Sequence, residues 1–168
     1  MELIFPTIEH KQAALDYRQE HFACGEMEIH GDGGLDGAES YEDWLIKLDG
    51  DRIRDDGNYV PGATYFGIID SKIVGAINIR YKLNDYLLKI GGHIGYGVRP
   101  SARRNGYASQ MLALALDKCR TVGITKILIT CDKYNLGSAK TIIKNGGILE
   151  NEVTEDNGNI VQRYWINL

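Results

Sequence analysis

Apolar positions change their period several times along this chain. From Thr7 to about Phe22 they recur at helical spacing, with Ala14, Leu15 and Phe22 among them, and Thr7 stands where an N-cap belongs. Ser40 caps a second helical stretch carrying Trp44, Leu45 and Leu48. Between them GDGGLDG (Gly31–Gly37) is a loop by composition. The pattern then turns to strands. ATYFGIID (Ala63–Asp70) and KIVGAINIRYKL (Lys72–Leu83) predict a hairpin across Asp70-Ser71, and HIGYGV (His93–Val98) a third strand. A helix starts near Tyr107, with Met111, Leu112, Ala115, Leu116 and Cys119 on one stripe. KILITCD (Lys126–Asp132) reads as a short buried strand, and SAKTIIKNGG (Ser138–Gly147) as a helix closed by glycine. The tail from Ile148 predicts a β-hairpin turning at Asn157-Gly158. The order ααβββαβαββ predicts an α/β fold. Its sheet is single, mixed, mostly antiparallel and twisted, with helices on both faces.

Composition narrows this picture. The 168 residues fit one domain spanning 1–168, with no repeat or linker. No apolar run approaches the roughly 20 residues of a membrane span, and the N-terminus lacks a basic and apolar leader pattern. Cys24, Cys119 and Cys131 are odd in number and lack CxxC spacing, which speaks against a disulfide framework or a zinc site and fits a cytoplasmic protein. A pI near 5.6 gives no support for nucleic acid as a partner.

Charge is uneven. Between Glu20 and Asp56 twelve acidic residues face three basic ones, so this segment carries −9 and the remainder +5. Two readings stand: a solvated helical surface, or a negative field that attracts a cationic substrate.

The chemistry concentrates in VRPSARRNGYASQMLALAL (Val98–Leu116). A strand ends at Val98, Pro100 stops it, and an apolar helix follows. The free N–H groups at a helix start attract phosphate. Gly106 permits close approach or a positive φ, and Arg103 and Arg104 add charge suited to phosphate oxygens. Neither GxxxxGK[ST] nor GxGxxG is present, so the stretch predicts a pyrophosphate cradle built mainly from backbone.

RRNGYA resembles the Arg/Gln-x-x-Gly-x-Gly/Ala signature of the GNAT superfamily of acyl-CoA-dependent N-acetyltransferases, through Arg103, Gly106 and Ala108. The resemblance includes the preceding strand GHIGYGVRP and the later NLGSAKTIIKNGG. It extends from Ala63 to the C-terminus, and covers the first 60 residues only by element order. It implies a GNAT-like domain that uses acetyl-CoA, with the strand before the signature splaying from its neighbour. The pantetheine arm would then meet backbone of Tyr96, Gly97 and Val98. The pyrophosphate would meet N–H groups of Arg103, Arg104, Asn105, Gly106, Tyr107 and Ala108, joined by Ser109. Asn135, Ser138 and Lys140 would close from the other side.

The implied reaction is direct transfer to a primary amine in a ternary complex. It needs a route for the ammonium proton, a dipole for the oxyanion and an acid for the thiolate. Many relatives place that acid as a Tyr four residues after the Ser; here Ile142 stands there. Tyr134 is the substitute considered, against simple packing. His93 is the candidate base, against a structural histidine at a strand start. Asp132 is a candidate for orienting the amine, against a turn cap. Cys131 reads as a buried small hydrophobe rather than a nucleophile. The acceptor is a small-molecule or peptide amine, and no membrane is implicated. The tail hairpin offers an edge for a homodimer. The alternative function is an acyl-CoA-binding or sensing module with little catalysis, and a third is an interaction subunit whose acidic face docks a basic partner.

Overall fold

The hairpin across Asp70-Ser71 forms the middle of the first sheet. Both turn residues are left-handed (φ 47° and 62°), the backbone that a two-residue hairpin turn requires. In the computed structural model, which describes all 168 residues, the hairpin strands are β2 (Gly62–Ile69) and β3 (Lys72–Arg80). A strand absent from the sequence reading, β1 (Glu2–Ile4), pairs antiparallel with β2, and β4 (Ile94–Val98) pairs antiparallel with β3. The order is β1-β2-β3-β4. β1 has only three residues, too few to show a period.

The second sheet has the order β5-β7-β6, from β5 (Lys126–Asp132), β6 (Ile148–Thr154) and β7 (Ile160–Asn167). β6 and β7 are the expected tail hairpin, and Gly158 takes φ 85° in its turn. The sequence reading placed every strand in one sheet. The ladders instead part between β4 and β5. One main-chain hydrogen bond crosses, from His93 N–H to Leu128 O at 2.7 Å. Tyr96 comes beside Cys131 further along, so the two strands advance together, in parallel. That is the only non-antiparallel neighbour relation in the molecule.

Helices cover both faces. α1 (Lys11–Ala23) and α2 (Tyr41–Asp51) pack on one side, where Tyr17, Trp44 and Phe66 are buried with Ile73 and Ala76. α3 (Tyr107–Thr121) and α4 (Leu136–Lys144) pack on the other, where Met111, Leu112, Ala115, Leu116 and Cys119 meet Ile77, Ile79, Ile127 and Ile129. Because both faces are covered, β2 and β3 are apolar almost throughout, and successive residues serve opposite cores.

Helix starts follow the sequence in kind and differ in detail. Ser40 accepts from Asp43 N–H, as an N-cap should. Thr7 caps a short 3₁₀ turn (Ile8–His10) that leads into α1, and its N–H donates to His10 Nδ1. α4 begins at Leu136, two residues before the expected start, because Asn135 caps it by accepting Ser138 N–H at 3.0 Å.

Met111 is fully buried, and its side chain fills the space left by Gly67 and Gly75 on the first sheet. Replacement of Met111 by Ala leaves a cavity there, with an expected loss of about 2–5 kcal/mol in denaturant unfolding. A far smaller loss would show that α3 does not seat on this contact.

Candidate active site

The parting of β4 from β5 makes a gap whose closed end is pinned by His93. Besides the main-chain bond to Leu128 O, the His93 ring accepts Leu128 N–H on Nδ1 at 2.9 Å. Towards the other end, Tyr96 reaches across to α4, its hydroxyl 2.8 Å from Ser138 Oγ. Burial pushes the Tyr96 phenol up to about 12, so it keeps its proton at any ordinary pH.

At the mouth of the gap the chain turns from β4 into α3. Arg104 and Gly106 are both left-handed (φ 66° and 76°), which curls the backbone as it enters α3. Gly106 is the N-cap of α3 and has no side chain to bond the first-turn N–H groups. A Cβ at Gly106 would meet nothing within 4 Å, so the approach is open. The backbone of Arg103–Ala108 thus fits a pyrophosphate. The Arg103 side chain does not serve as expected. Its guanidinium is clamped by Glu26, Nη1 to Oε1 at 2.6 Å and Nη2 to Oε2 at 2.5 Å, and its Nε donates to Val98 O. The Arg103 hydrogen bonds hold the Glu26 carboxyl down to about 2. Glu26 also bonds the buried His21, and Glu20 accepts Ser101 N–H at 2.8 Å. The acidic loop after α1 is therefore latched onto the cradle. Arg104 remains exposed, Asn105 donates to Ala102 O and Arg103 O, and Ser109 is tied to Asn145 at the end of α4. Asn135 is spent as a helix cap, Ser138 on Tyr96, and Lys140 is exposed on α4.

A cleft of about 880 Å³ opens beside β4. Its walls are the Gly31–Gly34 loop, Gly57–Val60 with Gly62, Asn78 and Arg80 of β3, and Asn84–Leu87. Gly31 brings the loop against β4: it has φ 83°, and a Cβ there would lie 2.5 Å from Gly95 O and from Tyr96 Cα. Among the lining residues Asp32 is buried, accepting Gly34 N–H and Asp36 N–H at 2.7 Å each. Burial raises its carboxyl to about 6 despite those bonds.

A model of the acetyltransferase (GNAT) family matches residues 28–146. The chain belongs to the acetyltransferase (GNAT) family. Its donor is acetyl-CoA. Among solved structures it is similar to RimL, a ribosomal L7/L12 alpha-N-protein acetyltransferase, in complex with coenzyme A. That pair superposes with a TM-score of 0.72 at 18% identity, over 99% of this chain and 93% of the other. It is similar also to the microcin C7 self-immunity acetyltransferase MccE, bound to acetyl-CoA and AMP (TM-score 0.69, 15% identity, 99% and 91% covered). A third is a mutant of the spermidine N-acetyltransferase SpeG from Vibrio cholerae (TM-score 0.67, 16% identity, 99% and 95% covered). No curated protein matches by sequence. No helix is long and apolar enough to cross a membrane.

The three catalytic candidates of this acetyltransferase do not converge. His93 sits at the seam, and with Nδ1 accepting a backbone N–H it has no lone pair to offer an ammonium. Burial and the neighbouring Arg80 charge lower its pKa further. Asp132 accepts from Asn159 of the tail hairpin turn and is exposed. Tyr134 is 82% exposed. Ile142 is fully buried in the core. Cys131 is buried, and burial pushes its thiol up to about 11, which suppresses the thiolate. Sequence reasoning named Tyr96 only for its backbone and Asp32 only as part of the glycine-rich loop and the acidic segment, and it did not name Arg80. Asp32 carried a signal in its glycine-rich loop. Nothing local marked Tyr96 or Arg80.

If backbone holds the pyrophosphate, Gly106→Trp fills the open mouth of the cradle. The variant is expected to keep its far-UV circular dichroism and to lose CoA binding by calorimetry. Undiminished CoA affinity would show that phosphate sits elsewhere.

Proposed function

We propose that this acetyltransferase moves an acetyl group onto a small primary amine held in the cleft beside β4, with Asp32 as base and Tyr96 as acid. The observation that carries the reading is Asp32, a buried carboxyl titrating near 6 among the residues that line the cleft beside β4. An ammonium must lose its proton before it can attack, and a base is most effective when its pKa lies near the working pH. Asp32 meets that condition, and its backbone bonds hold the carboxylate in one place.

The backbone of Tyr96, Gly97 and Val98 borders the gap, and the cradle at Arg103–Ala108 with Ser109 lies at its mouth. Asn135, Ser138 and Lys140 stand on its far side. These residues would hold acetyl-CoA, whose thioester supplies an activated acyl group. Tyr96 Oη, kept protonated by burial, is the proton source inside the gap, paired with Ser138 Oγ. Tyr96 thus takes the place of the tyrosine that relatives carry at Ile142. His93 holds the seam, and Asp132 and Tyr134 have no part in the transfer.

The acidic segment supports an amine acceptor in a more specific way than its total charge did. Seven of its twelve acids pair with Lys or Arg: Glu20, Glu26, Glu42, Asp49, Asp51, Asp55 and Asp56. Of the five left, Glu28, Asp32 and Asp36 line the cleft. The field is quenched over the surface and kept where an ammonium would enter.

The test is thiol release from acetyl-CoA with a panel of amines. Acceptor-dependent release is expected, with kcat/KM falling as pH drops through about 6 and Asp32 takes up its proton. Asp32→Asn should remove that inflection and lower the rate by about a hundredfold. Tyr96→Phe should lower kcat by about a hundredfold with little change in acetyl-CoA affinity. CoA binding without release from any amine would favour an acyl-CoA-holding module instead.

A further inference from the structure

Arg80 stands at the end of β3 in the wall of the cleft, half-buried. Nη1 donates to Gly91 O and Gly92 O, both at 3.1 Å. Nε and Nη2 have no protein partner, and no carboxylate lies within ion-pair distance. The other cation of the cleft, Lys47, is paired with Asp51 and also donates to Gly33 O. Arg80 is therefore the one cleft cation without a counter-charge, in a protein of net charge −4. Withdrawing a guanidinium from water without a counter-ion is costly. Its open edge suits the two oxygens of a carboxylate or a phosphonate.

We propose that Arg80 is an anion subsite, and that the acceptor is an amino acid or similar small amine bearing an oxyanion. The proposal rests on the cleft being the acceptor site. The cleft then has two poles. Asp32 and its neighbours Glu28 and Asp36 receive the ammonium, and Arg80, on the β3 wall, receives the acid group. A polyamine satisfies the first pole and sets a positive charge against the second.

The experiment compares acceptors in matched pairs that differ only in the acid group: lysine with cadaverine, phenylalanine with phenethylamine, and β-alanine with ethylamine and 2-aminoethylphosphonate. Thiol release from acetyl-CoA is measured for wild type, Arg80→Gln and Arg80→Lys. The expected result is a higher kcat/KM for the acid-bearing partner, lost by about ten- to a hundredfold in Arg80→Gln and partly kept in Arg80→Lys, with the plain monoamines unchanged and cadaverine, freed of the like charge, turned over at least as well. The phosphonate arm separates a carboxylate-specific site from a general oxyanion site. Calorimetry of the preferred acid-bearing amine without acetyl-CoA gives a second readout, expected to weaken in Arg80→Gln. Arg80 also fixes the Gly91–Gly92 backbone, so structural damage would lower both members of every pair equally, and that result overturns the proposal. Turnover of plain and acid-bearing amines alike by wild type overturns it too, while leaving the acceptor cleft intact. No turnover of any amine, with CoA still bound, overturns the acceptor reading and the subsite with it.

Discussion

Two hydrogen bonds between His93 and Leu128 hold the molecule's working parts in register. One is the only main-chain bond between the two sheets, and the other spends the histidine ring on a backbone amide. Beyond them β4 and β5 have no ladder, so backbone groups on facing edges are left without strand partners. In a buried position such groups cost free energy unless something bonds them. An extended arm with its own amides answers that need as a strand would. The seam therefore does two things: it keeps the sheets from separating, and it fixes where their parting begins. Arg80 lies against the same point, its backbone N–H donating to His93 O and its side chain to the two glycine carbonyls before it. Gap, cleft wall and seam share one corner of the fold.

The acid latch is the second constraint on the geometry. Glu26 is bonded at once by Arg103 and by His21, and Glu20 by Ser101. These contacts tie the loop that forms the cleft to the turn that forms the cradle. A charged pair of this kind is bidentate and partly sheltered, which makes its geometry more specific than an ordinary surface ion pair. Cleft and cradle are thus held at one spacing by these side chains.

Local signals were legible in the sequence, and long-range ones were not. Asp70-Ser71, Asn157-Gly158 and the Ser40 cap were readable because turn and cap chemistry acts over a few residues at most. The cradle was readable because RRNGYA carries its whole mechanism within one turn. The latch was not, since Glu26 lies 77 positions from Arg103. The Tyr96–Ser138 contact, 42 positions apart, was equally hidden, and so Tyr96 was credited with its backbone alone. His93 looked like a base because residue type suggests titration, whereas its role follows from a partner on another strand. The −9 segment looked like a field because its counter-charges lie mostly outside it, on Lys11, Lys82, Arg99 and Arg103.

That division has a physical cause that reaches beyond this chain. Main-chain amides curled by two left-handed residues bind phosphate whatever side chains surround them, so the cradle needs few fixed residues. The same fold is kept over 99% of the chain against RimL at 18% identity, with a TM-score of 0.72. The proposed acceptor cleft is lined mostly by side chains of loops and strand ends, and those can change without disturbing either sheet. Asp32, Asp36 and Glu28 come from a loop rather than a strand, and Arg80 from the last residue of one. Each sits where replacement alters the charge of the cleft and spares the core. Fold and donor are therefore written in patterns a single sequence displays, while the proposed choice of amine rests on a few charges that only the folded arrangement brings to one cleft.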